Sequence, residues 1–437
     1  MNDEELYPFA FAPVDVGCRN QILGAFHALS ELTGNDPDFE ELFVLPEGVG
    51  HYLEVKQSLK ASACSSYKAF ADKVFELLDA YFSHRQIVPK VFLTVYNPTE
   101  SNVPGEDVDK LCRAVKEYYA TRGLGSVFTA VLTSRYYKYK FVDFINIPKH
   151  LLTFSTRIRL LRHKKLRKKV LITTGTIHNF SMQKIKENYK ELLKKMSGAK
   201  KSASLHEVVE KLTIFKNKPK KVVFCLGGRV ESADILFDLA FAQKLYHSAE
   251  VLANKGYGVV FVNGPRTPNN VTDFLYEKSL KNKNILFQNS KKIAQTDEER
   301  EATHWRIYSG KHELVFKSLQ KLGNIYPAVL GFKNTLVVHT MDSYSSCETA
   351  SVGLPTAICA KGLYVDPNKR YDCYNLVKLL CPKYAIDFDE FMNLAVKFSV
   401  EPKDLSLAIL SSSLRVFAET IVNRVNQNIS QRGKINA

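Results

Sequence analysis

The segment Val222-Val223-Phe224-Cys225-Leu226-Gly227-Gly228 reads as a strand that runs into a tight turn. Its apolar run leaves no polar face, so both sides of the strand expect cover. Two glycines end it. Phe237, Ala240, Phe241, Leu245, Ala249 and Leu252 then recur at the spacing of one helix face. A buried strand, a glycine turn and an amphipathic helix are the opening of a parallel α/β sheet.

The same rhythm extends in both directions. Downstream, strands are expected at Gly258 to Val262, Ile285 to Phe287, Leu336 to His339 and Thr356 to Cys359. Helices are expected over Val271 to Leu280 and Ser343 to Val352, with a polar insert from about Asn289 to Gly323. Upstream, Tyr7 to Val16, Val91 to Tyr96, Val127 to Thr133, Phe141 to Ile147 and Val170 to Thr174 read as strands. Helices are expected over Ile22 to Leu29, Ser66 to Phe82 and Asp107 to Tyr119. The Lys-rich stretch from Lys194 to Ser204 breaks the rhythm and reads as a linker. The expected fold is therefore α/β, with two Rossmann-like doubly wound domains. The expected divisions are an N-terminal domain over 1–200, a C-terminal domain over 213–400, and a helix and tail over 401–437.

Composition bounds the function. The chain has 437 residues, 45% hydrophobic and 24% charged, which excludes collagen, a coiled-coil rod and a wholly disordered chain. No apolar stretch reaches the ~20 residues of a membrane span. The acidic start Met1-Asn2-Asp3-Glu4-Glu5 is unlike a secretory signal, so a cytoplasmic setting is expected. Eight scattered cysteines without a Cys-x-x-Cys pair predict reduced thiols and no metal site.

The 61 Lys and Arg against 45 Asp and Glu give a net charge of +16, which favours anionic partners. The densest run, Arg157 to Lys169, holds eight Lys or Arg with Leu160, Leu161 and Leu166 between them. It reads either as a solvated helix face or as a contact for an anionic membrane surface. No recognition-helix or aromatic RNA-binding motif accompanies the charge, so no nucleic-acid partner is expected.

Candidate site residues fall where strands meet helices. Gly227 and Gly228 let a phosphate approach the backbone at a helix start, or simply permit a tight turn. Arg266 is a fork donor suited to phosphate, and Thr267 beside it either joins that turn or caps the next helix. Asp342, Ser343, Ser345 and Glu348 gather hydroxyls and carboxylates at one helix start, as an anion and ribose site or as caps. In the first half, Gly17, Asn20 and Gln21 occupy the first strand-to-helix turn, and His178 the last. His178 reads as a base, an acid or a phosphate donor, or as a structural histidine.

These stretches, in this order, resemble the elongated-mitochondria family, the plant mitochondrial-fission factor and its bacterial relatives. The resemblance is carried by Gly17-x-x-Asn20-Gln21-x-x-Gly24, Phe141 to His150, Val170 to His178, Gly227-Gly228, Arg266-Thr267-Pro268, and Asp342-Ser343-x-Ser345-x-x-Glu348 with Gly353-x-Pro355. Thr349 stands where the family carries alanine. The family is similar to GT-B glycosyltransferases, and so implies two domains facing across a cleft. A nucleotide-diphosphate sugar would then be the donor substrate, with no metal or other cofactor. The donor would lie along Gly227, Gly228, Arg266, Thr267, Asp342, Ser343, Ser345 and Glu348. The acceptor, a lipid or surface glycan, would face Gly17, Asn20, Gln21, His178 and Asp15. The resemblance also implies an alternative: a non-enzymatic factor on the cytosolic face of a membrane, the mitochondrial outer membrane in a eukaryote, recruiting a dynamin-like GTPase.

Overall fold

The computed structural model describes residues 8–11, 16–33, 66–83, 88–95, 105–133, 138–178, 180–199, 203–228, 237–293, 296, 307–323, 325–340, 345–359 and 415–426. The chain forms two compact units, Met1–Asn179 with Ala408–Ala437, and Phe180–Leu407. Each carries its own apolar core.

The first unit is built on a five-stranded parallel sheet in the order β1 (Pro8–Phe9), β2 (Val91–Val95), β3 (Phe128–Leu132), β4 (Phe144–Pro148), β5 (Val170–Thr173). Strands β2, β3 and β4 are buried along their whole length, as continuous apolar runs covered on both faces require. The helices are α1 (Val16–Thr33), α2 (Tyr67–Phe82), α3 (Gly105–Thr121), α4 (Phe154–Arg162) and α5 (Lys164–Lys169). Ser66 caps α2 by accepting the Ala69 N–H at 3.2 Å, and Gly123 with φ +66 closes α3. The helix 415–426 returns to this unit, burying Phe417, Ala418, Ile421 and Val425, with Phe417 edge-on to Phe144.

Two expectations change here. The strand expected over Tyr7 to Val16 is described only at Pro8–Phe9, and Val16 already belongs to α1. Gly17, Asn20 and Gln21 therefore lie in the opening turns of a helix, which buries Gln21 along with Ile22, Ala25, Phe26 and Leu29. Asp15 lies outside the described residues.

The second unit holds α6 (Met182–Ala199), α7 (Ala203–Asn217), α8 (Leu239–Asn254), α9 (Asn269–Leu280), α10 (Glu313–Leu319), α11 (Tyr326–Val329) and α12 (Ser345–Ser351). Its sheet contains β6 (Lys221–Leu226), β7 (Gly258–Asn263), β8 (Ile285–Gln288), β11 (Thr335–Thr340) and β12 (Thr356–Cys359), all parallel, in the order β12-β11-β6-β7-β8. A short parallel pair, β9 (Lys292–Ile293) with β10 (Ile307–Tyr308), stands apart within the polar insert. The chain starts in the middle of this sheet, builds outward to β8, then crosses back to the other side of β6. Phe224 and Phe261 stack across β6 and β7 at 5.2 Å.

The linker expected from Lys194 to Ser204 is mostly helix. Ile185, Leu192 and Met196 are buried along α6, and Leu205, Val209 and Leu212 along α7. Lys194 is exposed and Lys195 half-buried on α6, the solvent-facing side of a packed helix. Residues 200–202 lie outside the described residues.

Candidate functional site

In the second unit the strand order reverses between β6 and β11. At such a reversal the connections leave the sheet in opposite directions, and a crevice opens at the carboxyl ends of the two strands. The turns around it are tied together. The Gly227 N–H, just past β6, donates to the Thr340 hydroxyl at the end of β11 at 2.7 Å. The Thr267 hydroxyl, fully buried, donates to the Gly227 carbonyl and accepts the Gly264 N–H at 3.0 Å. Thr267 thus locks the turn after β7 onto the turn after β6. It does not cap α9, whose cap position is Pro268.

Gly228 is fixed by the same contact. A Cβ there would lie 1.7 Å from the Arg266 carbonyl oxygen. The close approach that requires glycine is therefore made by the neighbouring turn's backbone, which leaves Arg266 half-buried beside it.

Ser345 and Glu348 lie on α12, which follows β11. At seven residues this helix has little macrodipole, so its contribution comes from side chains. The Ser345 hydroxyl is 3.1 Å from His339 Nδ1, and the Thr349 hydroxyl 2.9 Å from His339 Nε2. Thr356 donates to Thr349 at 3.0 Å. His339 is completely buried, and desolvation lowers its pKa to about 3. The neutral ring sits between two hydroxyls and orients Ser345. Thr349, where the resembled family has alanine, is the other half of that clamp.

Glu348 is 8% exposed. Lys184 of α6 lies within its field: burial lowers the lysine pKa, and Glu348 opposes the shift. Tyr326 is close to Cys225, Glu348 and Ser345, and burial raises its pKa well above the ordinary phenol value. Burial likewise raises the Cys225 thiol, which is inert in that state. Asp342 and Ser343 lie outside the described residues.

The first unit has its own buried polar chain at the carboxyl ends of β3, β4 and β5. The Thr133 hydroxyl donates to Gln21 Oε1, and the Thr133 N–H to Asn146 Oδ1 at 3.3 Å. Asn146 Nδ2 donates to Thr173 at 2.9 Å, and Thr173 to the Gly175 carbonyl at 3.0 Å. Thr133 holds φ 50, a strained value for a β-branched residue. Beyond Gly175, His178 is 4% exposed, and desolvation lowers its pKa to about 4. Its backbone presses on α1 at Gly24, where a Cβ would lie 2.3 Å from the His178 carbonyl. Asn20 is half-buried and Gln21 buried. Gly17 lies in the first turn of α1.

Sequence reasoning missed Thr133, Asn146, His339 and Thr340. Asn146 and His339 had a signal: Asn146 interrupts the apolar run of β4, and His339 ends the apolar run Leu336-Val337-Val338 of β11. Thr133 and Thr340 had none, since threonine suits a strand.

No family model matches the chain, and no curated protein matches it. Among solved structures, the chain is similar to UDP-GlcNAc 2-epimerase of Methanocaldococcus jannaschii in complex with UDP-GlcNAc and UDP, at 11% identity. That match covers 96% of this chain and 98% of the other, with TM-score 0.44. It is similar to the Staphylococcus aureus MnaA–UDP co-structure at 11% identity, covering 97% and 96%, with TM-score 0.39. It is also similar to a Thermobaculum terrenum O-GlcNAc transferase mutant at 8% identity, covering 98% and 68%, with TM-score 0.38.

Proposed function

We propose that the chain is a nucleotide-diphosphate-sugar-dependent glycosyltransferase of GT-B type. The observation that carries this reading is the strand-order reversal between β6 and β11, with Gly227, Gly228, Arg266, Ser345 and Glu348 all on the turns and helix that follow β6, β7 and β11. The resemblance of Gly227-Gly228, Arg266-Thr267-Pro268 and Ser345-x-x-Glu348 to segments of the elongated-mitochondria family is in keeping with it.

In this reading the diphosphate lies over the Gly227-Gly228 backbone, with Arg266 as its charged donor. Ser345, oriented by His339, and Ser343 donate to phosphate oxygens. Glu348 accepts the ribose hydroxyls, and Asp342 is assigned to the same donor site from the sequence. Donors fixed before the reaction stabilise the diphosphate as its charge develops on departure of the sugar. The acceptor is a lipid or surface glycan held by the first unit at Gly17, Asn20 and Gln21. His178 or Asp15 takes its proton. Burial keeps His178 unprotonated near neutral pH but also lowers its proton affinity below that of an ordinary imidazole, so as a base it must gain proton affinity when substrate binds.

The test is a thermal-shift screen of UDP, GDP, CMP, ADP and dTDP and their sugars on the full chain and on Glu348→Gln. A ligand at a hundredfold excess over its dissociation constant stabilises by about 2.7 kcal/mol. One nucleotide raising the midpoint of the wild type and not of the variant is the expected result. No shift with any nucleotide overturns the reading in favour of a non-enzymatic factor.

A further inference from the structure

The run Arg157 to Lys169 is not absorbed by the donor site. It forms the two consecutive helices α4 and α5, with Thr153 capping α4 through the Thr156 N–H at 3.2 Å. Two of the most exposed large apolar side chains among the described residues lie on α4: Phe154 at 78% and Leu161 at 74%.

At about 100° per residue, Phe154, Ile158 and Leu161 fall on one side of the helix. Thr156 and Leu160, the buried residues of α4, fall on the opposite side. The helix is therefore anchored by one face while it presents an apolar stripe on the other. Arg157 and Arg162 flank the stripe on either side. His163, Lys164, Lys165, Arg167 and Lys168 continue the exposed basic surface along α5. Lys169 is partly engaged, donating to the Val142 carbonyl at 2.9 Å. No Asp or Glu occurs between Asp143 and Glu187, so the run itself carries no acid to offset these charges.

An exposed phenylalanine and leucine on one stripe lose apolar hydration when covered, while the bases beside them need an anionic partner. Both requirements are met at once by an anionic lipid surface, with the stripe at the acyl boundary and the bases among the headgroups. Nucleic acid meets the charge and can stack on Phe154, but it offers nothing to Leu161. We propose that α4 and α5 are a peripheral docking surface for anionic lipid bilayers, with Phe154 and Leu161 inserted and Arg157, Arg162, Lys164, Lys165 and Lys168 contacting headgroups. This does not depend on the transferase reading.

The test is co-sedimentation of the full-length protein with vesicles of phosphatidylcholine alone and of phosphatidylcholine with about 30% phosphatidylserine. Two variants accompany it: Phe154→Ser with Leu161→Ser, and Arg157→Gln, Arg162→Gln, Lys164→Gln with Lys168→Gln. All these side chains are exposed, and an unchanged thermal midpoint confirms that each variant folds. Expected are binding to the anionic vesicles only, and weakening by about tenfold or more in each variant. Binding that survives the apolar substitutions overturns insertion and leaves a simple polyanion contact. Equal affinity for an RNA duplex, abolished by the same apolar substitutions, overturns the choice of lipid. No binding to either vesicle overturns the proposal outright.

Discussion

The Thr340 hydroxyl accepts the Gly227 N–H at 2.7 Å, joining the ends of two strands that the chain reaches more than a hundred residues apart. Both residues are buried, and they sit on the two sides of the strand-order reversal. The contact fixes the turn after β6 to the last residue of β11, across the strand-order reversal where the nucleotide is proposed to lie.

Thr340→Val keeps the shape and removes the acceptor. The buried Gly227 N–H then lacks that partner, at an expected cost of about 1–3 kcal/mol. Thr340→Ser retains the hydroxyl and is expected to stay within about 1 kcal/mol of the wild type. Chemical denaturation of both variants checks this. Equal stability of the two would show that the hydroxyl does not hold the turns.

Gly228→Ala puts a methyl carbon on the Arg266 carbonyl, so one of the two turns must move. Destabilisation of about 1–3 kcal/mol is expected, with any nucleotide-induced thermal shift reduced. Gly198→Ala is the contrast. That glycine lies near the end of α6 with nothing within 4 Å of its Cβ position, and the same substitution there is expected to be neutral or slightly stabilising. Thermal unfolding of the pair, with and without ligand, distinguishes local crowding from a general intolerance of glycine loss.

The two parallel sheets were legible because their strands are unbroken apolar runs, and Val222 to Leu226 has no other reading. Strand order was not legible. Nothing in Leu336 to His339 says that this segment lies beside β6 instead of beyond β8; that depends on where each crossover helix packs. The stretch at 194–204 misled because a helix exposing lysines has the composition of a linker, and only the spacing of Leu192, Met196, Leu205 and Val209 reveals it. Arg266, Ser345 and Glu348 were visible as polar groups after strands. The clamp behind them was not, because His339 and Thr349 meet only once β11 and α12 have folded together.

Two buried histidines set an acid limit on stability. His339 is lowered to about 3 and His178 to about 4, against an ordinary 6.5. Between those values the unfolded chain binds protons that the folded chain refuses, so stability rises with pH. The contribution is complete above about pH 6.5 and is lost as pH falls through the folded values. Each histidine accounts for roughly 3–5 kcal/mol of that loss at most. Denaturation of wild type, His339→Gln and His178→Gln from about pH 4 to 7 checks it. The stability difference between wild type and each variant is expected to shrink as pH falls; a constant difference would mean the histidine is not excluded from protonation.

Lys291 adds a second pH dependence, a gain in stability on the alkaline side. It follows β8 and is only 2% exposed, with its ammonium donating to Asn269 Oδ1 at 2.7 Å. Asp273, an opposing charge in its field, is itself hydrogen-bonded by the Tyr308 hydroxyl. Desolvation outweighs that partner and lowers the lysine from the ordinary 10.5 to about 7. The proton is therefore a burden on the folded state, since the unfolded chain keeps it throughout this window. Stability from this group rises as pH increases from about 7 towards 10.5, where the unfolded chain also releases its proton. Lys291→Met fills the same space without a charge, and its stability is expected to gain far less across that window. Urea denaturation at both ends of the window measures the difference. If Lys291→Met and the wild type show the same gain, the ammonium is stabilised by Asp273 and Asn269 well enough to offset its burial, and the lysine is a structural ion-pair partner at all these pH values.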